Sequence, residues 1–126
     1  MKYYRLFINT DNRVETFDKL TEVLGHQPTI FENNKRPDEK YSTWTYCIDE
    51  NEEEDKPSFD FINKFLDIIE PKFKELENLG IKKSHITFWL NYEYFQQCSL
   101  EFHPQEMKRL GDSEIILCID CFERKE

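Results

Sequence analysis

IILCIDCF, residues 115–122, alternates Ile115, Leu117, Ile119 and Cys121 with Ile116, Cys118, Asp120 and Phe122. A β-strand sends successive side chains to opposite faces, so both faces of this segment are largely apolar. The pattern predicts an interior strand, in a sheet covered at least partly on both sides. Asp120 is the exception, a carboxylate whose burial is costly unless it is paired or hydrogen-bonded.

Immediately upstream, His103 is placed to cap a short helix with Pro104 at its first position and Glu106 at its third. Phe102 can staple against Met107, and Gly111 is expected to close the helix. Gln97 to Phe102 reads as a fourth strand carrying Cys98, Leu100 and Phe102. Ser84 to Asn91 reads as a third strand with Ile86, Phe88 and Leu90 buried, and Tyr92 to Gln96 as the turn between the two. The longest helical signal starts near Ser58, where Ile62, Phe65, Leu66, Ile69, Phe73 and Leu76 step by three and four. Pro71 falls inside it. Its missing amide hydrogen and its clash with the carbonyl four residues back predict a kink or a break, and Gly80 ends the second piece.

Nearer the N-terminus, Tyr3 to Asn9 is a predicted strand with Tyr4, Leu6 and Ile8 buried. Asn12 and Glu15 fit a capping box, Gly25 a left-handed exit, and Val14, Phe17, Leu20, Val23 and Leu24 the stripe of the helix between them. FENNKRPDEK, residues 31–40, has no period and reads as a loop, and Tyr41 to Asp49 as the second strand. The order β-α-β-α-β-β-α-β predicts a single α+β domain over residues 1–126. Its sheet is expected to be mixed and mainly antiparallel, of about five strands, with helices mostly on one face.

Composition narrows the function classes. With 126 residues the chain is long enough to bury a core without staples, and eleven Phe, six Tyr and two Trp fill much of it. A formal net charge of −9 argues against a nucleic-acid binder that neutralises phosphates and against docking on anionic membranes. MKYYRLFINT lacks the apolar core and cleavage site of a signal peptide, and no apolar run approaches the roughly 20 residues of a membrane helix. The expected compartment is the cytosol, where the four cysteines stay reduced.

The segments YYRLF, LGHQPT, STW around Trp44, the Pro-interrupted helix and the closing ILCIDCF together resemble a family of small bacterial proteins labelled only as a domain of unknown function. The resemblance covers nearly the whole chain. It implies a bacterial, cytosolic α+β protein and carries over no catalytic residue.

Cys118 and Cys121 have the CxxC spacing of redox and zinc sites. Inside a strand, an offset of three puts their sulfurs on opposite faces, and Cys47 and Cys98 are lone residues rather than a second pair. Buried free thiols are the expectation, with no metal and no cofactor. His26, His85 and His103 form no ligand motif, and no phosphate-binding Gly-rich loop or GxSxG is present. The strand faces opposite the predicted core are more informative. They collect Tyr3, Arg5, Trp89, Glu101 and Asp120 on one partly open aromatic and polar surface. There Arg5 either pairs with Asp120 or Glu101 in a structural network, or helps to orient a ligand stacked on Trp89 and Tyr3.

Six of the seven residues 49–55 are acidic: Asp49, Glu50, Glu52, Glu53, Glu54 and Asp55. The run is either a solvated loop or a recognition element for a basic protein surface. Tyr92, Tyr94 and Phe95 in the predicted turn are a second interaction hint. Three classes of function follow. The favoured one is a non-enzymatic acidic interaction protein of the immunity or antitoxin type with a basic partner. The others are a small-ligand binder or enzyme using the open sheet face, and a subunit of a homo-oligomer.

Overall fold

A computed structural model describes residues 2–29, 37–49 and 60–124. Four strands, β1 (Lys2–Asn9), β2 (Thr43–Asp49), β3 (Ile86–Tyr94) and β4 (Ile116–Glu123), form one mixed sheet in the order β2-β1-β3-β4. The helices are α1 (Val14–Leu24), α2 (Phe61–Ile69), α3 (Phe73–Asn78) and α4 (Pro104–Asp112). β1 pairs antiparallel with β2 and β3, and β3 pairs parallel with β4. A parallel neighbour needs a crossover, and α4 lies in it.

The core forms where the two periodicities meet. Tyr4, Leu6 and Ile8 of β1 and Ile86, Phe88 and Leu90 of β3 point to one face. Leu20 and Leu24 of α1, Phe61, Ile62, Phe65, Leu66 and Ile69 of α2, Leu76 of α3 and Leu110 of α4 bury against that face. Trp44 is fully buried, and its indole N–H donates to the Thr21 hydroxyl at 3.0 Å. Pro71 breaks the long helix as expected: Glu70–Lys72 form a single 3-10 turn between α2 and α3. Gly25 and Gly80 both adopt the left-handed conformation after their helices, at φ 68° and 83°.

Several expectations are corrected. Asn12 does not cap α1. It is itself left-handed (φ 64°), and its side chain reaches across to the Asp38 carbonyl (2.6 Å) and the Tyr41 N–H (3.1 Å). Asp60 caps α2, accepting the Asn63 N–H at 3.0 Å. Gly111 lies inside α4, and Glu114 (φ 58°) takes the left-handed turn beyond it. The predicted fourth strand from Gln97 is absent: these residues form an irregular connection, so among the described residues the sheet has four strands rather than five. β3 instead continues through Tyr92 and Tyr94, where a turn was expected.

The largest correction concerns residues 115–122. They do form a strand, but it is the edge of the sheet, not its interior. Ile115 is buried and Leu117 half-buried at the α4 end, whereas Ile116, Ile119 and Phe122 are 47%, 43% and 48% exposed. Apolar alternation on both faces reports what a strand could bury, not how many neighbours it has.

Candidate functional site

The face turned away from the core is ordered by sheet register. Arg5 stands between Cys47 of β2 and Trp89 of β3, and Trp89 stands beside Cys118 of β4. The next row runs Asp49, Tyr3, Asn91, Asp120, so a carboxylate closes each end. Tyr3, Arg5, Phe7 and Trp89 are half-buried and Asp49 and Asp120 exposed, and every core residue contributed by the helices packs on the opposite face. Burial pushes the Cys47 thiol above its usual range and Asp49 adds to the rise, while Arg5 pulls the other way.

Of the predicted open-face residues, Tyr3, Arg5, Trp89 and Asp120 share this surface. Asp120 is not opposite Arg5: strand β3 separates them and Trp89 occupies the intervening position. Nor is Asp120 a buried carboxylate, because β4 is an edge. Glu101 belongs elsewhere. Without the strand predicted from Gln97 to Phe102 to carry it, it lines a cavity of about 600 Å³ on the helix side of the sheet, together with Lys2, Tyr4, Phe61 and Leu100. There its carboxylate lies 3.5 Å from His103 Nε2. Asp60 and Glu106 line the same cavity. Burial raises the Asp60 carboxyl, but hydrogen bonds with Asn63 and Glu106 and the charge of Arg109 outweigh it and hold the group below its usual range.

Among the interaction candidates, Asp49 ends β2, whereas Glu50, Glu52, Glu53, Glu54 and Asp55 lie outside the described residues. Tyr92 and Tyr94 are strand residues on the helix side, half-buried, with ring centroids 6.1 Å apart and the Lys2 ammonium 4.9 Å from the Tyr92 ring. Phe95 alone of the three is exposed, at 51%.

Cys118 and Cys121 face opposite sides, beside Trp89 and Tyr92 respectively. Cys121 approaches Cys98 to 3.7 Å between sulfurs, a contact hidden from the sequence because Cys98 sits in irregular chain. Burial, then Cys98 and Asp120, push the Cys121 thiol upward, which disfavours its thiolate. Each histidine has a local partner. His26 Nδ1 lies 2.8 Å from the Leu24 carbonyl, His85 Nδ1 accepts the Lys82 N–H at 3.1 Å, and His103 meets Glu101. Among the described residues, no group of three His, Cys, Asp or Glu side chains is arranged to hold a metal ion, and no helix is long and apolar enough to cross a membrane.

A polar network centred on Arg109 has no signature in the sequence. Arg109 of α4 grips Glu70 with two N–H groups (3.1 and 3.0 Å), Asn63 Oδ1 at 2.7 Å and Asp67 at 2.8 Å, while the Ser113 hydroxyl donates to Glu70 at 3.0 Å. The Arg109 hydrogen bonds hold the Glu70 carboxyl below the usual range. This network ties α4 to α2 and so fixes the crossover that delivers β4. No protein-family model, curated protein or solved structure matches the chain.

Proposed function

We propose that this protein is a non-enzymatic interaction module that binds a basic protein across the open sheet face, in the manner of an immunity protein or antitoxin. The observation that carries the reading is the composition of that face along β3 and β4. Exposed Ile116 and Phe122 flank Asp120 beside half-buried Trp89, which is an apolar centre with an acidic border. Asp49 supplies the opposite border, and the acidic residues Glu50, Glu52, Glu53, Glu54 and Asp55 follow it directly in sequence. Long-range attraction by these carboxylates speeds encounter, and the apolar centre holds the complex. Membership of the small bacterial family that the sequence resembles, and a cytosolic location, belong to the same reading.

The test is affinity capture from the native bacterium, followed by association kinetics at two salt concentrations. Asp49→Asn with Glu50, Glu52, Glu53 and Glu54 changed to Gln should slow association and flatten its salt dependence. Phe122→Ala should speed dissociation instead. Recovery of no basic partner, or equal rates for all variants, would sink the reading.

A second reading, small-ligand binding, is favoured by the cavity that holds Glu101, whose volume is that of a typical ligand site. Its carboxylates and aromatic walls suit an amine. Thermal shifts with a panel of amines, lost in Glu101→Gln, would support it; no shift with any amine would remove it.

A further inference from the structure

We propose that the outer edge of β4 pairs antiparallel with the same edge of a second copy, about a twofold axis at Ile119, so that one sheet runs through both chains. The inference goes beyond the partner-binding reading: it rests on the main-chain edge of β4 and on Ile119, and it shares Ile116 and Phe122 with that reading.

Main-chain direction comes first. The Arg124 N–H donates to the Tyr94 carbonyl at 2.8 Å, so position 124 is turned toward β3. Alternate residues of a strand aim their N–H and C=O groups to opposite sides. Ile116, Cys118, Asp120 and Phe122 therefore bond β3, and Leu117, Ile119, Cys121 and Glu123 aim outward. Among the described residues no backbone group bonds those outward positions. Such a row is a template for another strand.

The side chains then select the occupant. In a chain of net charge −9, residues 115–122 carry one charge, Asp120, and no Lys or Pro that would block an edge. A twofold axis at Ile119 sets Ile119 against its own copy, Ile116 against Phe122, Leu117 against Cys121 and Cys118 against Asp120. All three exposed apolar residues then meet apolar partners. An axis at Asp120 would oppose like charges, and one at Cys118 would set Phe122 against Glu114. An axis at Leu117 would carry Phe122 beyond the partner strand, and one at Cys121 would set Ile119 against Glu123. The strand is thus complementary to itself in one register.

The other edge of the sheet limits the assembly. Thr29 lies along β2, donating its N–H to the Thr45 carbonyl at 2.7 Å and accepting the Cys47 N–H on its hydroxyl at 3.1 Å. Among the described residues, two groups on the outer side of β2 are thus already bonded while the outer side of β4 has no such partner, which favours closure at two chains over growth into a fibre.

Sedimentation of the full chain at rising concentration should show a dimer, favoured by added salt because salt screens the repulsion of two acidic chains. Ile119→Lys, a change at a position exposed in the single chain, should remain folded by circular dichroism. It should weaken the dimer by at least about 100-fold, since each substitution acts twice at the axis. In a background with the native cysteines changed to Ser, Ile119→Cys should crosslink to itself on mild oxidation. Ile116→Cys should not, being opposite Phe122 of the other copy. If the Ser background does not fold, concentration-dependent protection of the Ile119 and Cys121 amides in hydrogen exchange reads the same contact. A monomer at all concentrations up to about 1 mM, a dimer unaffected by Ile119→Lys, or crosslinking at 116 in place of 119 would overturn the proposal. None of these measurements needs the basic partner, so the two readings stand or fall separately.

Discussion

Along the outer side of β2, Thr29 answers the Thr45 carbonyl with its main chain and the Cys47 N–H with its hydroxyl, whereas the outer side of β4 has no backbone partner among the described residues. The side chains differ in the same sense. Beside the first edge Trp44 is fully buried; along the second Ile116, Ile119 and Phe122 are close to half exposed. Leaving β4 bare exposes apolar area that a lone sheet edge normally hides or guards with charge. A single threonine satisfies one carbonyl and one N–H of a terminal strand, so being terminal does not by itself leave every outward group of a strand without a partner. The difference locates where the fold is finished and where it offers a surface.

The largest effect should separate the two edges directly. Trp44→Ala removes a fully buried indole and its bond to Thr21, and should cost about 3–5 kcal/mol in chemical denaturation. Phe122→Ala, measured at concentrations where the chain is monomeric, should cost under about 1 kcal/mol. Equal losses would erase the distinction. The next effect tests what holds β4 in its parallel position. Arg109→Ala unties α4 from Asn63, Asp67 and Glu70 and should cost about 1–2 kcal/mol, less than a fully buried network because these groups touch solvent. Glu70 is depressed in the folded state, so its share is fully present above the unfolded value of 4.5 and is lost as pH falls through the lower folded value. The gap between parent and variant in urea melts should therefore be full at neutral pH and close only in acid. A gap that widens in acid would show that Glu70 is not the partner that matters. Thr29→Val keeps the shape but removes the acceptor for Cys47, and should cost about 1 kcal/mol with faster exchange of the Cys47 amide.

Sequence carried the parts of the fold that depend on local period. The Tyr4, Leu6, Ile8 alternation, the α2 stripe, the break at Pro71 and the left-handed turns at Gly25 and Gly80 all follow from backbone rules that act within a few residues. Strand position does not. Nothing in IILCIDCF distinguishes two neighbours from one, because both faces are apolar whether or not anything covers them. The same limit moved Glu101: Gln97 to Phe102 has alternating apolar residues, yet Leu100 and Phe102 settle beneath the sheet against the core without pairing. Arg109 gave no signal, since its partners lie 39 to 46 residues away. Of the candidate face, Tyr3, Arg5 and Trp89 were legible by parity alone. Their order across the sheet needed the register.

Asp120 gives the smallest expected effect. Placed on an interior strand, a carboxylate must find a partner, and its loss would leave buried donors exposed to no acceptor at about 1–3 kcal/mol. On the observed edge none of that holds. Asp120 is exposed, its neighbour in the row is Asn91, and β3 stands between it and Arg5. Water solvates the carboxylate in both folded and unfolded chains, so neither Asp120→Asn nor Asp120→Ala should move the stability of the monomer by more than about 0.5 kcal/mol. Their effects should lie in assembly. With Asp120 facing Cys118 of the second copy, neutralising it removes a desolvated charge from the interface and should tighten the dimer while slowing association with a basic protein. Urea melts at low concentration, read beside sedimentation of the same variants, separate these outcomes. A loss of 1 kcal/mol or more in the monomer would return Asp120 to a buried, paired environment and would undo the assignment of β4 as a free edge.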